Sequence, residues 1–179
     1  MKTFSIRPAR ADEIPALEAL ISASARELSA GDYTPEEIES AVSHVFGVDS
    51  ELVSDSTYFT VEQEDGEILA CGGWSRRKTL FGGDRFAGRE SGLLDPAVDA
   101  AKIRAFFVHP KHARRGIGSA LLGHCESEAR RHGFHTAEMM ATLPGVKLYR
   151  AKGYTGDEVV RFTQPDGMDI PFVRMHKAL

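Results

Sequence analysis

The sequence is poor in the residues that would staple or anchor a chain. Two cysteines occur in 179 residues, Cys71 and Cys125. Both sit in apolar runs without CxxC spacing, which excludes a disulfide scaffold and predicts two reduced, buried thiols of the kind found in cytosolic proteins. No apolar run approaches the roughly 20 residues that cross a bilayer. The opening MKTFSIRPARADEIP lacks the apolar centre of a signal peptide, so the expectation is a cytoplasmic protein with no membrane partner. Positive charge is not in excess either. Lys and Arg total 22 against 26 Asp and Glu, a net charge of −4, whereas nucleic acid and anionic lipid both reward a positive field. Nucleic acid is therefore not expected as a partner. There is no internal repeat, low-complexity tract or linker, and 42% hydrophobic with 27% charged residues is ordinary for a globular domain. One domain over residues 1–179 is the expectation.

What is present is a succession of short periodic segments. Thr3 to Arg7 alternates as a strand that Pro8 ends. A helix follows, capped by Asp12 or its predecessor, with Pro15 in the first turn and Ile14, Leu17, Leu20, Ile21, Ala25 and Leu28 on one face. Gly31 and Asp32 break it. Thr34 and Glu37 form a capping box for a second helix that ends near Gly47. The linker carries Tyr33, readable as a lid on the core or a wall of a substrate site. Thr57–Gln63 and Glu67–Trp74 form a hairpin about Asp65-Gly66, and Gly72-Gly73 predicts a bulge or a close approach. Residues 75–100, with mixed charge and several glycines, read as a long irregular loop that covers a ligand. Strands at Thr136–Thr142, Glu158–Thr163 and Ile170–His176 complete the pattern, with a short helix from Pro144 through Arg150, stopped by Gly153. The order β-α-α-β-β-loop-β-α-β-α-β-β predicts an α/β (α+β) mixed sheet with helices on both faces.

The stretch KIRAFFVHPKHARRGIGSALLGHCESEARRHG, residues 102–133, organises the rest. A strand runs into a basic, glycine-containing turn that opens a helix. Helix N-termini carry unpaired N–H groups and partial positive charge, and glycines admit a ligand close to the backbone, so this is a recipe for gripping a pyrophosphate. Gly116-x-Gly118 lacks the third glycine of a dinucleotide fingerprint and starts seven residues beyond the strand, which disfavours a nucleotide-binding oxidoreductase. GxxxxGK[ST] is absent. His109, His112, His124, His132 and His135 show no paired spacing, so capping or solvated roles are expected and no metal, with His132 suited to a helix C-terminus.

VHPKHARRGIGSALL resembles motif A of the GCN5-related N-acetyltransferase (GNAT) superfamily, [QR]-x-x-G-x-[GA] after a V-x-P strand end. LYRAKGY, residues 148–154, resembles the family's F-Y-x-x-x-G-F helix end, and FSIRP its opening strand. The resemblance implies a mostly antiparallel sheet of about seven strands, splayed between the fourth and fifth. It implies acetyl-CoA as cosubstrate, with the pyrophosphate on the backbone amides of Arg114, Arg115, Gly116, Ile117, Gly118 and Ser119. The pantetheine arm would pair with Phe106, Phe107 and Val108 like an added strand. A backbone N–H at a bulge by Val108 would polarise the thioester oxygen, and Tyr149 would be the general acid that protonates the CoA thiolate. The acceptor implied is an amine, by default that of a small molecule. The resemblance leaves a homodimer open.

The chain departs from the pattern in places. Ala113 replaces the motif's Gln or Arg, and Thr142 and Gly145 stand where Asn and Ala are frequent. Many relatives carry a glutamate base on the fourth strand, where this chain has Arg104, which cannot act as one. Water, Asp32, Glu90 and Asp99 remain as base candidates, and Glu138 is expected to pair with Arg104 across the sheet. A non-catalytic acyl-CoA-binding or sensing module is the competing reading. Residues 28–37 and 75–100 are expected to shape the acceptor site.

Overall fold

A computed structural model describes residues 3–179. Seven strands form one sheet in the order β1-β2-β3-β4-β5-β7-β6: β1 (Phe4–Pro8), β2 (Tyr58–Gln63), β3 (Ile68–Ser75), β4 (Ala101–Val108), β5 (Thr136–Ala141), β6 (Thr155–Thr163) and β7 (Asp169–Ala178). Every neighbouring pair is antiparallel except β4 and β5. Helices α1 (Ile14–Leu28), α2 (Pro35–His44) and α3 (Ser50–Ser54) precede the β2–β3 hairpin, α4 (Ile117–Arg131) joins β4 to β5, and α5 (Val146–Ala151) joins β5 to β6.

The two faces of the sheet carry separate cores. Leu121, Leu122, Cys125 and Ala129 of α4 bury with Trp74, Phe134 and Met139. Leu17, Leu20 and Ile21 of α1 and Ile38 and Ala41 of α2 bury with Tyr58, Cys71, Phe107 and Phe172. Alternation along β2 explains the division, since successive side chains leave opposite faces of a strand: Tyr58 joins one core and Phe59 the other. Both cysteines are free and buried, as expected.

The capping box forms as predicted, with Thr34 Oγ1 accepting the Glu37 N–H at 3.2 Å and Glu37 returning a carboxylate to the Thr34 N–H. Asp12 does not cap α1. A 3₁₀ turn over Ala11–Glu13 precedes that helix, and Glu13 takes the Arg10 N–H at 2.8 Å while pairing with Arg7. α2 stops at His44, short of Gly47. α3, unforeseen, is capped by Asp49, whose carboxylate accepts the Glu51 N–H at 3.0 Å.

Gly72 and Gly73 fulfil the close-approach reading. A Cβ on Gly72 would lie 2.6 Å from the Phe106 ring, and one on Gly73 would lie 2.3 Å from the Thr57 carbonyl oxygen. The loop after β3 is irregular, yet it is held firmly. Arg77 bridges to Asp55, Arg89 to Asp49 and Glu51, and Phe81 and Phe86 stack on each other and on Phe162.

Candidate active site

β4 and β5 pair only at Ala101–Ala137 and Lys102–Glu138. Beyond that seam β4 stays with β3 and β5 with β7, so the sheet opens along residues 103–108 and leaves the β5-facing edge of β4 without a strand partner. Two cavities occupy the opening. The larger, about 750 Å³, runs from motif A past Phe106–Val108 to Thr142–Tyr149, with Ser24, Leu28 and Asp32 on its α1 side. The smaller, about 50 Å³, lies between Phe46-Gly47, Gly82-Gly83, Arg104–Phe107, Met139-Met140 and Phe172. Phe106, Phe107, Thr142 and Tyr149 line both.

The turn into α4 is built for an anion. Arg114 (φ 62°) and Gly116 (φ 80°) both take left-handed backbone, and no side chain caps the helix. The N–H groups of Ile117, Gly118 and Ser119 have no protein acceptor among the described residues, which leaves them, with the helix dipole, for a ligand's negative charge. Gly118 opens the groove wall, because a Cβ there would sit 3.2 Å from Leu148. Arg114, Gly116, Ile117, Gly118 and Ser119 line the larger cavity; Arg115 is exposed and does not.

Tyr149 is buried, and burial, followed by the neighbouring Cys125, raises its pKa, so the phenol keeps its proton at neutral pH. Gly145 permits this placement, since a Cβ there would fall 2.9 Å from the Tyr149 ring. Tyr33, by contrast, is consumed by structure. Its hydroxyl donates to the Pro171 carbonyl at 2.7 Å and accepts the Leu143 N–H at 3.1 Å, tying the helical linker to the wall of the larger cavity.

Two expectations need correction. The bulge lies not at Val108 but at Ala105-Phe106, where Cys71 pairs with Phe107 while Gly73 pairs with Arg104. Ala105 there adopts φ 51°, and Tyr58 donates to its carbonyl at 2.9 Å. Glu138 does not pair with Arg104. It pairs with Lys102 and Arg174, and although burial opposes its charge, their hydrogen bonds hold its pKa below the usual carboxylate value. Arg104 lies two residues beyond the two-residue seam and reaches instead to Asp49 at 2.8 Å and to the carbonyls of Thr79 and Gly82. Of the base candidates, Asp32 lines the larger cavity, whereas Glu90 and Asp99 line neither.

Two histidines take the capping roles expected, whereas His112 is buried against an acid. His132 contacts the Glu128 carbonyl at the end of α4, His109 accepts the Lys111 N–H, and His112 meets Glu67. No group of His, Cys, Asp or Glu among the described residues is arranged to hold a metal, and no helix of the described residues is long and apolar enough to cross a membrane.

The sequence model of the acetyltransferase (GNAT) family matches residues 22–154. The chain belongs to that family. Solved structures agree on the fold. A GCN5-related N-acetyltransferase from Rhodopseudomonas palustris superposes with TM-score 0.73 at 19% identity, covering 100% of this chain and 98% of the other. The PaiA N-acetyltransferase of Thermoplasma acidophilum, solved with coenzyme A, gives 0.65 at 14% identity over 99% of both chains. YncA of Salmonella typhimurium, solved with its cofactor acetyl-CoA, gives 0.64 at 16% identity over 99% of this chain and 94% of the other. None of the curated proteins compared matches the sequence. In this GNAT chain the segment from Val108 to Leu122, which resembles the family's motif A, borders the larger of the two cavities that meet in the opening between β4 and β5.

Proposed function

We propose that this GNAT protein is an acetyl-CoA-dependent N-acetyltransferase that acetylates a primary amine of a small molecule by direct attack, with Tyr149 as general acid. The observation that carries the reading is the position of Tyr149 at the junction of a long groove and a small pocket. A cofactor threaded through the groove would bring its sulfur to this junction, and an amine in the pocket would approach the same carbon from the other side.

The groove's residues suit coenzyme A. The amides of Arg114–Ser119 would take the pyrophosphate charge, and the unpaired edge of Phe106–Val108 would hydrogen-bond the pantetheine amides as an added strand. The bulged backbone at Ala105–Phe107 is the candidate for polarising the thioester oxygen. Tyr149 would donate its proton to the departing sulfur; the apolar wall that raises the phenol's pKa also raises the proton affinity of a thiolate, so the two stay matched. No base is assigned.

Thiol release from acetyl-CoA in the presence of an amine library tests the reading. Tyr149→Phe is expected to lower kcat about 100-fold or more, the low end of general acid catalysis, while the Kd for acetyl-CoA changes little. Unchanged turnover would remove Tyr149 from the chemistry. A non-catalytic acyl-CoA-binding module is the second reading, favoured by the absence of a carboxylate from the smaller cavity; binding of CoA with no thiol release from any amine would establish it.

A further inference from the structure

We propose that the acceptor is a weakly basic primary amine, its conjugate acid near pKa 8 or below, that enters the smaller cavity uncharged and carrying a small apolar group. This inference rests on the acyl-transfer reading above and adds the chemical class of the acceptor.

The charge inventory of the cavity carries it. Among the described residues, Arg104, 1% exposed, is the one ionised side chain in its lining, and no carboxylate lines it. Carboxylates lie near but are occupied. Asp49, behind Arg104 and fully buried, receives Arg104, both terminal nitrogens of Arg89 and the Glu51 N–H. Glu18, beside Gly47, pairs with Arg85 at 2.7 Å and accepts the Val48 N–H. Tyr149, from α5, and Tyr58, which holds the Ala105 carbonyl, are neutral, and β5 and β7 contribute Met139, Met140 and Phe172. The Nε of Arg104 is itself buried without a hydrogen-bond partner, and Asp49 divides its single charge between Arg104 and Arg89.

An alkylammonium entering here would exchange water for a wall that mixes aromatic and thioether side chains with backbone polar groups, beside a like charge, with no carboxylate to take its proton. The families of amine differ in how much of each is neutral. At pH 7.4 an α-amine of pKa about 7.7–8.0 is roughly a quarter uncharged, whereas an alkylamine resembling the lysine side chain, near 10.4, is about 0.1% uncharged. The cavity's size sets a second limit. At 10–15 Å³ per water-sized volume, its 50 Å³ holds about four non-hydrogen atoms, which fits an amine on a short apolar stub.

Bonding balances without a co-reactant. The neutral nitrogen's lone pair forms the N–C bond as the C–S bond breaks, and the nitrogen's surplus proton leaves to water. Tyr149 gives its proton to the sulfur and recovers one from solvent, so that an amide and a free thiol result.

Two probes of four non-hydrogen atoms test the inference, propargylamine against propylamine, with thiol release measured from pH 6.5 to 10; the triple bond draws electrons from the nitrogen and brings its basicity down to about that of an α-amine. At pH 7 kcat/KM for propargylamine is expected to exceed that of propylamine by about 100-fold. The propylamine values should then climb tenfold per pH unit toward pH 10, while the propargylamine values level off near pH 8. Equal values at pH 7, or a propylamine profile that levels off near neutrality, would mean that a group in the site removes the proton, and would overturn the inference while leaving acyl transfer intact. Turnover of neither probe, with CoA still raising the Tm, would overturn the inference, while acyl transfer itself stands or falls on the amine library above.

Discussion

Arg104 and Asp49 form a wholly buried ion pair that also receives Arg89. Burial alone would raise the pKa of Asp49, but hydrogen bonds from Arg89 and the charges of Arg104 and Arg89 outweigh it and hold the carboxyl below its usual value. A depressed carboxylate stabilises the fold fully above its unfolded pKa of about 3.9 and loses that contribution as pH falls through its lower folded value. Acid titration followed by circular dichroism should therefore show a late, low-pH transition that Asp49→Asn removes. Replacing Arg104 alone with Met leaves a buried charge and should cost about 3–5 kcal/mol in urea unfolding, and adding Asp49→Leu should recover part of it. The two thiols make a second prediction. Burial pushes the Cys71 thiol up to about 12 and raises that of Cys125. Neither should react with iodoacetamide at pH 8 in the native protein, and both should in denaturant. Sequence reading correctly placed these cysteines indoors. It paired Arg104 with the wrong acid because strand periodicity names the face but not the point where two strands part, and because Asp49 lies 55 positions away.

At the scale of elements, the turn into α4 separates two kinds of glycine. Gly116 needs its left-handed φ of 80° but has open space around it, whereas Gly118 faces Leu148 and Val108 across the groove. Gly116→Ala should cost about 1–2 kcal/mol of stability through backbone strain and leave acetyl-CoA binding within a few-fold. Gly118→Val should leave stability closer to wild type yet raise the Kd for acetyl-CoA at least tenfold by filling the groove. Differential scanning fluorimetry and calorimetric titration check the two together. Motif A was legible because one continuous stretch carries strand, turn and helix. The five-residue α3 was not, since it is too short for a periodic apolar face and is held by Asp49 and tertiary contacts rather than by propensity.

Over the whole molecule, the order of segments along the chain predicted the mixed sheet and its helices on both faces, and the family resemblance implied its split between the fourth and fifth strands. The segment that lines the larger groove was readable because it is one continuous stretch. The other side of the opening was not, because Phe46-Gly47, Gly82-Gly83, Arg104–Phe107 and Phe172 come from separate segments that only the fold brings together. Tyr149 joins these two halves, and the central claim is that the reacting thioester sits beside it. A crystal structure with coenzyme A tests this most directly. The account predicts the pyrophosphate on the amides of Ile117–Ser119, the pantetheine arm along Phe106–Val108, and the sulfur within about 3.5 Å of the Tyr149 hydroxyl, the reach of a hydrogen bond to a large, soft acceptor. A sulfur positioned away from Tyr149, or a coenzyme bound outside the larger groove, would contradict it.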